Sequence, residues 1–585
     1  MDRMEDMSNS SAAAALQTIA KILTLQEENP FKIRAYERVA QALEGHAEEI
    51  ESIYARGGVK ALREVPGVGE DIALKLEEFI TTGKIVYLEK KRAEVPAGLF
   101  DVMEIPGMGP KKTAFLWKTF TVTGIEDVEK VVAAGKLDGL KGWGEKSIEN
   151  LKRGIEVRKS HAGRFLRDIA LHEAERVLRV LRKVKGCERA EYAGSLRRGK
   201  ETVGDIDVLA CGSDAEALIE AFVAMGDIAD VLAKGDTRAA VRFESGLQCD
   251  LRVVPAESFG AALQYFTGSK EHNVRLRQRG IERGVTINEY GVHKGSAEIK
   301  GELLASETEE DVYAAVGLPW IPPTLRENRG EFDAAAEGAL PIVVEERDLR
   351  GDLHMHSTFS DGAATMVEMA RAAKDAGLEY IAITDHASPM GMVRGIKDAN
   401  VDEYLAAVDE ARAAVPGIHI LAGAEVDILQ DGSLYLHDDT LAKLAWVTAS
   451  IHGYFALSKE EQTARLVKAV SHPLVHCLSH PSARELLRRD PIDADWDAVF
   501  AAAAEHGTAI EINASPQRLD ASDVLARRAK EYGCMLTIGS DAHTMQGLSK
   551  IHGVATAQRA WLTKGDVVTC LERDVFQKWL LHAKK

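Results

Sequence analysis

The chain has 585 residues, too many for one hydrophobic core, so roughly three to five domains are expected. Its composition, 45% apolar and 28% charged, is that of an ordinary globular protein, and no run of about 18 apolar residues exists that could span a membrane. The formal charge, 73 − 91 = −18, taken alone speaks against a protein that coats nucleic acid. The start, MDRMEDMSNS, lacks the apolar segment of a signal peptide. Six cysteines lie far apart with no C-x-x-C pair, which argues against a disulfide scaffold or a cysteine zinc finger and for a reducing, cytoplasmic location.

These averages hide local contrasts. Residues 351–585 carry 23 basic and 32 acidic side chains, and residues 1–350 carry 50 and 59, so both parts are net −9. Histidine is uneven instead: thirteen of eighteen fall in 351–585. An excess of histidine beside Asp and Glu is the trace that a transition-metal site leaves in composition. Basic charge is concentrated too, with 17 Lys and Arg against 8 Asp and Glu in residues 141–200.

The first ~155 residues read as short helices joined by glycine turns, since stretches such as SSAAAALQTIAKILTLQ and PFKIRAYERVAQALEG place apolar residues at helical spacing. One pattern occurs three times: Val65-Pro-Gly67-Val-Gly69, Ile105-Pro106-Gly107-Met-Gly109 and Leu140-Lys-Gly142-Trp-Gly144, each between two helical stretches. Two glycines one residue apart allow a tight turn and a close backbone approach. The helix that follows offers unpaired N–H groups and the positive end of its dipole. That suits a phosphate and reads no base. One G-x-G is only a turn, but three within eighty residues, flanked alike, are not. They resemble helix-hairpin-helix motifs, which grip DNA backbone.

A basic amphipathic helix is expected near 164–185, followed from about 190 by β-type runs, GDIDVLA, AVRFE and CDLRVV. The sharpest upstream feature is Gly194-Ser195-Leu-Arg-Arg198-Gly-Lys-Glu-Thr-Val-Gly204-Asp205-Ile-Asp207. Asp205 and Asp207 are two apart on a strand, so both carboxylates face one side. Such a pair can share Mg²⁺ ions, which prefer hard oxygen ligands. Two ions about 3.5–4 Å apart can activate a 3′ hydroxyl and neutralise a departing pyrophosphate. Asp250, in Gln-Cys-Asp-Leu-Arg-Val-Val, is the natural third carboxylate. A Gly-Ser turn with an arginine suits a triphosphate. Two aspartates on a strand would otherwise be a solvated edge.

This window resembles the nucleotidyltransferase signature of family X DNA polymerases, as do Tyr265-Phe266-Thr-Gly268-Ser, Asn273, Arg277 and Thr286-Ile-Asn-Glu-Tyr290 downstream. The resemblance implies that Asp205, Asp207 and Asp250 are the catalytic carboxylates and hold Mg²⁺ or Mn²⁺. It implies that Gly194, Ser195, Arg198 and Gly204 hold the triphosphate, that Tyr265, Phe266 and Gly268 line the sugar pocket, that Asn273 reaches the base edge and that Arg277 contacts the template strand. Arg164 falls where the family often has another triphosphate-contacting arginine, without a motif to anchor it. Repair members carry an N-terminal lyase domain whose lysine, in the helix after the first hairpin, forms a Schiff base with an abasic sugar phosphate. Lys75 occupies that place, and Lys32 and Tyr36 lie in a segment similar to the family's phosphate-binding helix. Asp71 stands where the lyase commonly has a second lysine, which opposes both phosphate attraction and nucleophilicity.

From 349 onward, β-rich runs alternate with Ala-rich helical segments, the sign of repeated βα units. Asp352-Leu-His354-Met-His356 is followed by Asp361, and later runs end in Asp-His386, Glu425, His452, His480 and Asp541-Ala-His543. In a parallel barrel the strand C-termini converge on one mouth, so these ligands would meet across nearly two hundred residues. A lone strand-end histidine is ordinarily structural; six such strand ends are not. The set resembles a PHP (polymerase and histidinol phosphatase) domain, a (β/α)₇ barrel with a trinuclear metal centre, and all nine positions match. The resemblance implies metal-assisted attack on a phosphoester, with up to three Mn²⁺ or Zn²⁺ ions, which suit a His-rich set better than Mg²⁺. His472, His476 and Asp427 lie near these motifs but outside the pattern and are expected to support rather than bind.

The resemblance covers residues from about 15 to 585 and is to bacterial and archaeal family X polymerases. The expected architecture is multidomain: helical helix-hairpin-helix domains, an α+β nucleotidyltransferase palm and thumb, and a C-terminal (β/α)₇ barrel. The expected order is a lyase-like hairpin domain (1–95), a hairpin DNA-binding domain (96–160), the palm (161–258), the thumb (259–325), a linker (326–348) and the barrel (349–585). The implied function is filling of short gaps in base excision repair, with 3′→5′ exonuclease or other 3′-end processing and abasic-site cleavage in the barrel. The implied partners are gapped or nicked DNA and dNTPs, met by a monomer. The alternatives are a barrel nuclease whose core only clamps DNA, a non-catalytic repair scaffold, and a small-molecule phosphatase of the histidinol-phosphate type.

Overall fold

A computed structural model describes residues 9–582, except 45, 47, 104, 106, 161–162, 296–299 and 390–394. Five helices, Asn9–Leu25, Pro30–Glu44, Ile50–Leu62, Glu70–Thr82 and Val86–Ala93, open the chain. Leu16, Ile19 and Leu23 on the first, and Tyr36, Val39 and Leu43 on the second, lie three or four residues apart, so each trio shares a face and enters one core. Four more helices, Gly98–Met103, Pro110–Phe120, Ile125–Ala133 and Glu145–Ser160, gather Leu99, Leu116, Val128, Trp143 and Leu151 around a second core. Among the described residues no helix is long and apolar enough to cross a membrane.

Strands then take over. Five form a sheet in the order Cys187–Tyr192, Asp205–Gly212, Gln248–Val253, Arg238–Phe243, Ile228–Lys234. Only Asp205–Gly212 and Gln248–Val253 run parallel to each other. Helices Arg167–Leu181 and Ala215–Val223 pack Val177, Leu181, Leu218 and Phe222 against Ile206, Val208 and Leu251 of this sheet. A smaller antiparallel sheet, Val285–Asn288, Gly291–Gly295 and Lys300–Ala305, follows with helices Phe259–Thr267, Lys270–Glu282 and Glu309–Ala315.

Residues 326–348, whose Glu-, Ala- and Gly-rich composition reads as a linker, are packed instead. Arg326 and Glu331 are fully buried, Phe332 joins the same core as Leu276 and Tyr313, and Glu331–Ala336 is helical. The charges that suggested solvent are satisfied internally. Glu331 accepts from His272 Nδ1 at 2.7 Å, and Arg326 Nη1 donates to Glu309 Oε1 at 2.6 Å.

The C-terminal part is a ring of seven parallel strands, adjacent in chain order: Gly351–Asp352, Tyr380–Ile383, His419–Asp427, Trp446–Ser450, Cys477–Leu478, Ala509–Asn513 and Leu536–Gly539. The ring is nearly closed by two bonds beyond the strand ends, His356 N–H to Ala542 O and Asp541 N–H to His354 O, both 2.9 Å. Tyr380, Trp446, Cys477 and Ala509 are the first residues of their strands and share an apolar cluster with Phe576 of the last helix, Arg573–His582. That helix therefore plugs the end of the barrel opposite the strand C-termini, and Tyr380 stacks on Phe576 with ring centroids 4.3 Å apart. The barrel docks on the sheet domain through Arg484, whose guanidinium spans Glu201 at 2.6 and 3.1 Å, and through His552, whose Nδ1 is 2.6 Å from Arg167 Nη1.

Candidate functional sites

The parallel register of Asp205–Gly212 and Gln248–Val253 sets Asp207 directly beside Asp250, with Asp205 two residues earlier on the same face. The three carboxylates crowd one another. Burial, then the charges of Asp205 and Asp250, push Asp207 up to about 6. Burial and Asp250 raise Asp205 as well. A cation beside Asp205 and Asp207 would favour their ionised forms. Gly194 has φ +62° and lies so close that a Cβ would overlap the Asp207 carboxylate, so only glycine fits.

Ser195 lies in the helical turn Gly194–Arg197. Just beyond it, Arg198 reaches Thr267 O with Nη1 at 2.6 Å and Glu327 Oε1 with Nε at 3.1 Å. Gly268, φ +67°, lies against it, with a Cβ position 3.3 Å from Arg198 Nη1. Gly204 faces open space. Tyr265 and Phe266 meet edge to face at 5.2 Å. Asn273 donates to Tyr265 O at 2.7 Å and accepts from Gln264 Nε2 at 2.9 Å, so its amide is oriented by this same helix. Arg277 is exposed, with Nε 3.3 Å from Asn273 O. Arg164 is placed by the pairing of Phe165–Leu166 with Thr202–Val203. It donates to Thr202 Oγ1 at 2.9 Å, and its charge draws the Asp205 carboxylate downward against the larger effect of burial.

The three hairpins share one backbone. Gly67, Gly107 and Gly142 have φ of +86°, +77° and +88°. In each, the residue between the glycines donates its N–H back across the turn: Val68 to Val65, Met108 to Ile105 and Trp143 to Leu140, at 3.1, 2.9 and 3.0 Å. Gly69 and Gly109 cap helices Glu70–Thr82 and Pro110–Phe120, and Gly144 precedes Glu145–Ser160. Pro106 lies outside the described residues. A Cβ on Gly69, Gly109 or Gly144 would meet nothing within 4 Å, so these three glycines answer to no internal packing.

Lys75 Nζ is 2.6 Å from Asp71 Oδ1 and 4.9 Å from the centre of the Tyr87 ring, beside which Lys32 Nζ and Tyr36 also gather. The basic stretch 141–200 is less open than its composition suggests. Arg176 pairs with Glu173 and Asp227, Arg197 with Glu309, and Arg167 is buried against His552.

In the barrel the nine predicted residues converge. Four groups have ligand atoms all within 4.8 Å of one another: His356, Asp361, His386, His543; His354, Glu425, His480; His354, His356, Asp541; and His386, Glu425, His452. Glu425 is the hub, with Oε1 2.6 Å from His480 Nε2 and Oε2 2.8 Å from His386 Nδ1. Asp541 Oδ1 is 3.2 Å from His356 Nε2. Asp361 and His543, at 35% and 38% side-chain exposure, open the centre to solvent.

Burial disfavours charge on every imidazole here, yet Glu425 and Asp361 hold His386 up at about 11, and Glu425 and Asp427 hold His452 at about 9. Burial and the neighbouring His543 and His386 press His356 down to about 3; burial and Arg518 press His480 to about 4. His354 Nε2, His356 Nδ1 and His480 Nδ1 are buried and make no hydrogen bond. Buried unpaired donors are costly, and a mixed N/O set of this kind fits several divalent transition ions. The palm trio is not among the tight groups; Asp250 Oδ2 instead accepts from Gln248 Nε2 at 2.7 Å.

Asp427 accepts from His452 Nδ1 at 2.7 Å. Two residues were missed. Glu511 accepts from His354 Nδ1 at 2.7 Å and from the His480 N–H at 2.8 Å, fixing two of the nine residues at once. Arg518 has Nε 3.6 Å from Asp541 Oδ2 and a buried Nη1 that makes no hydrogen bond. Glu511 left a usable signal, a carboxylate flanked by Ile510 and Ile512 in a β-type run. Arg518, on a loop, left none.

Hairpins, a carboxylate-bearing sheet and a histidine-lined barrel in one chain define a nucleic-acid polymerase joined to a metal-dependent phosphoesterase. Known families match in the same order: a helix-hairpin-helix domain over residues 7–85, a DNA polymerase beta thumb over 262–327 and a PHP domain over 352–527. A DNA polymerase/3′-5′ exonuclease PolX of Bacillus subtilis (strain 168) is 34% identical over 556 residues, covering 94% of this chain and 96% of that protein. DNA polymerase lambda of Rattus norvegicus is 26% identical over 342 residues, 53% of this chain and 55% of that one. A probable phosphatase of Thermoanaerobacter sp. (strain X514) is 34% identical over 205 residues, 33% of this chain and 78% of that one. The chain belongs to the family X DNA polymerases that carry a C-terminal PHP domain.

Proposed function

We propose that this chain, acting as a monomer, fills short gaps in DNA during base excision repair and trims 3′ ends in its barrel by 3′→5′ hydrolysis. The observation that carries the polymerase reading is the register of Asp207 on Asp250, with Gly194 closed against Asp207 and Arg198 following one helical turn later. Asp205, Asp207 and Asp250 are the residues that would hold Mg²⁺ or Mn²⁺, and the nine barrel residues would hold Mn²⁺ or Zn²⁺. When bound, such ions lower the pKa of the attacking hydroxyl or water and neutralise charge that develops on phosphate oxygens.

The remaining work falls to the chain. The hairpins hold the strands flanking the gap by backbone N–H groups, which adds no formal charge and reconciles DNA binding with a net −18. Ser195, Arg198 and the Gly194 turn hold the triphosphate while the primer 3′ oxygen displaces pyrophosphate. Tyr265, Phe266 and Gly268 line the sugar pocket, Asn273 meets the base edge and Arg277 the template. In the barrel Glu511 and Asp427 orient His354 and His452. There water attacks phosphorus, the 3′ oxygen leaves, and Arg518 supplies a donor to the phosphate. Cleavage beside an abasic site breaks the same class of bond and is proposed for the same centre. The test is a primer-extension and degradation assay on gapped DNA. Asp205→Ala/Asp207→Ala should lose synthesis and keep degradation, and His354→Ala/His356→Ala the reverse; a double variant that lost neither activity would end the assignment.

A further inference from the structure

Arg559 ends the helix Ile551–Arg559 of the barrel, yet its Nη1 bonds to the polymerase half while its Nη2 bonds within the barrel. It is 3% exposed. Its Nη1 donates to the backbone oxygen of Arg198 at 2.9 Å and to Glu327 Oε1 at 2.8 Å, and its Nη2 to Asp523 Oδ2 at 2.8 Å. The same Glu327 oxygen accepts from Arg198 Nε at 3.1 Å and lies 3.6 Å from Lys200 Nζ. Asp523 also accepts from Arg329 Nη1 at 2.9 Å. The loop after Arg198 rests on the barrel helix itself: a Cβ on Gly199, φ +70°, would sit 3.1 Å from Ala555 Cβ and 3.6 Å from Arg559 Cδ.

The network holds two carboxylates, Glu327 and Asp523, against four cations, Arg198, Lys200, Arg329 and Arg559. It carries net positive charge where an anion is expected, and its pose is set by a residue 361 positions along the chain from Arg198. We propose that Arg559 is a positioning residue for nucleotide addition: by holding both the carbonyl and the carboxylate partner of Arg198, the barrel forms part of the triphosphate site. This rests on the reading of Arg198 as a triphosphate contact.

The experiment measures dNTP KM and kcat on gapped DNA, together with exonuclease rate, for Arg559→Met, Arg559→Lys, Glu327→Gln and Arg198→Ala. Losing a charge-assisted bond that orients Arg198 should raise dNTP KM on the order of tenfold in Arg559→Met. Its kcat and exonuclease rate should change far less, and Arg559→Lys should recover part of the loss. Glu327→Gln, which keeps the shape and removes the shared charge, should shift KM similarly, and adding Arg559→Met to it should cost little more. An unchanged KM in Arg559→Met, while Arg198→Ala raises it, overturns the inference. Unchanged KM in both overturns the reading of Arg198 instead. If Arg559→Met loses both activities and melts early, Glu327→Gln decides, and a wild-type KM there overturns the inference.

Discussion

Replacing the second glycine of two hairpins by alanine should separate folding from DNA contact. Gly69 and Gly109 have φ of −83° and −80° and ψ of 172° and 174°, an extended backbone open to any residue. A Cβ on either meets nothing within 4 Å. Alanine loses some N-cap preference there and gains by restricting the unfolded chain, so the double variant should stay within about 0.5 kcal/mol of wild type. Gly67 and Gly107, at φ +86° and +77°, are different, and alanine at each should cost about 1–2 kcal/mol. A phosphate reaching the N–H groups past Gly69 and Gly109 would meet the new methyl. Loss of one hydrogen bond to a charged acceptor costs about 1.5–3 kcal/mol, roughly 10- to 100-fold in affinity per hairpin. Anisotropy titration of a gapped duplex at fixed salt, beside thermal unfolding, measures both. Wild-type affinity in Gly69→Ala/Gly109→Ala, or a loss of affinity matched by a loss of stability, would refute the reasoning.

Three further outcomes follow from particular contacts. Glu511→Gln should weaken metal binding in the barrel roughly 10- to 100-fold, read by calorimetric titration with Mn²⁺, with exonuclease activity partly restored by excess ion. His552 is pressed to about 4 by burial and by Arg167. Below its ordinary 6.5 the unfolded chain takes a proton that the folded chain refuses, so stability falls as pH drops from about 6.5 to 4, by up to about 3 kcal/mol. Melting curves should show that slope in wild type and a flatter one in His552→Gln. Borohydride trapping on an abasic 5′-sugar phosphate should label Asp71→Asn more strongly than wild type, because the Asp71 carboxylate holds Lys75, and should not label Lys75→Ala.

What could be read from sequence was whatever one element carries by itself. Asp205 and Asp207 declare their shared face by a spacing of two, and most of the nine barrel residues declare themselves as polar groups at the end of an apolar run. The hairpins repeat, and repetition raised a weak turn signal into a structural one. What could not be read depended on partners distant in the chain. The composition of 141–200 does not reveal Asp227, Glu309 and Glu327, which pair with Arg176, Arg197 and Arg198 from far downstream. The same blindness made residues 326–348 look like a tether. Arg326 and Glu331 are polar in composition, but each is buried against a specific counter-charge or donor. Glu511 stands between Ile510 and Ile512 in a fully buried strand, and its partner His354 lies 157 residues upstream, so only the buried acid itself signals the contact.

The central claim is that one chain trims a 3′ end in the barrel and extends it in the palm. A gapped duplex whose primer ends in an unpaired 3′ nucleotide tests both steps, with primer length followed over time at excess enzyme. Wild type should shorten the primer and then fill the gap. His354→Ala/His356→Ala should leave the mismatched primer at its starting length, and Asp205→Ala/Asp207→Ala should shorten it without regrowth. Trimming that persists in the histidine variant, or regrowth in the aspartate variant, would contradict the account.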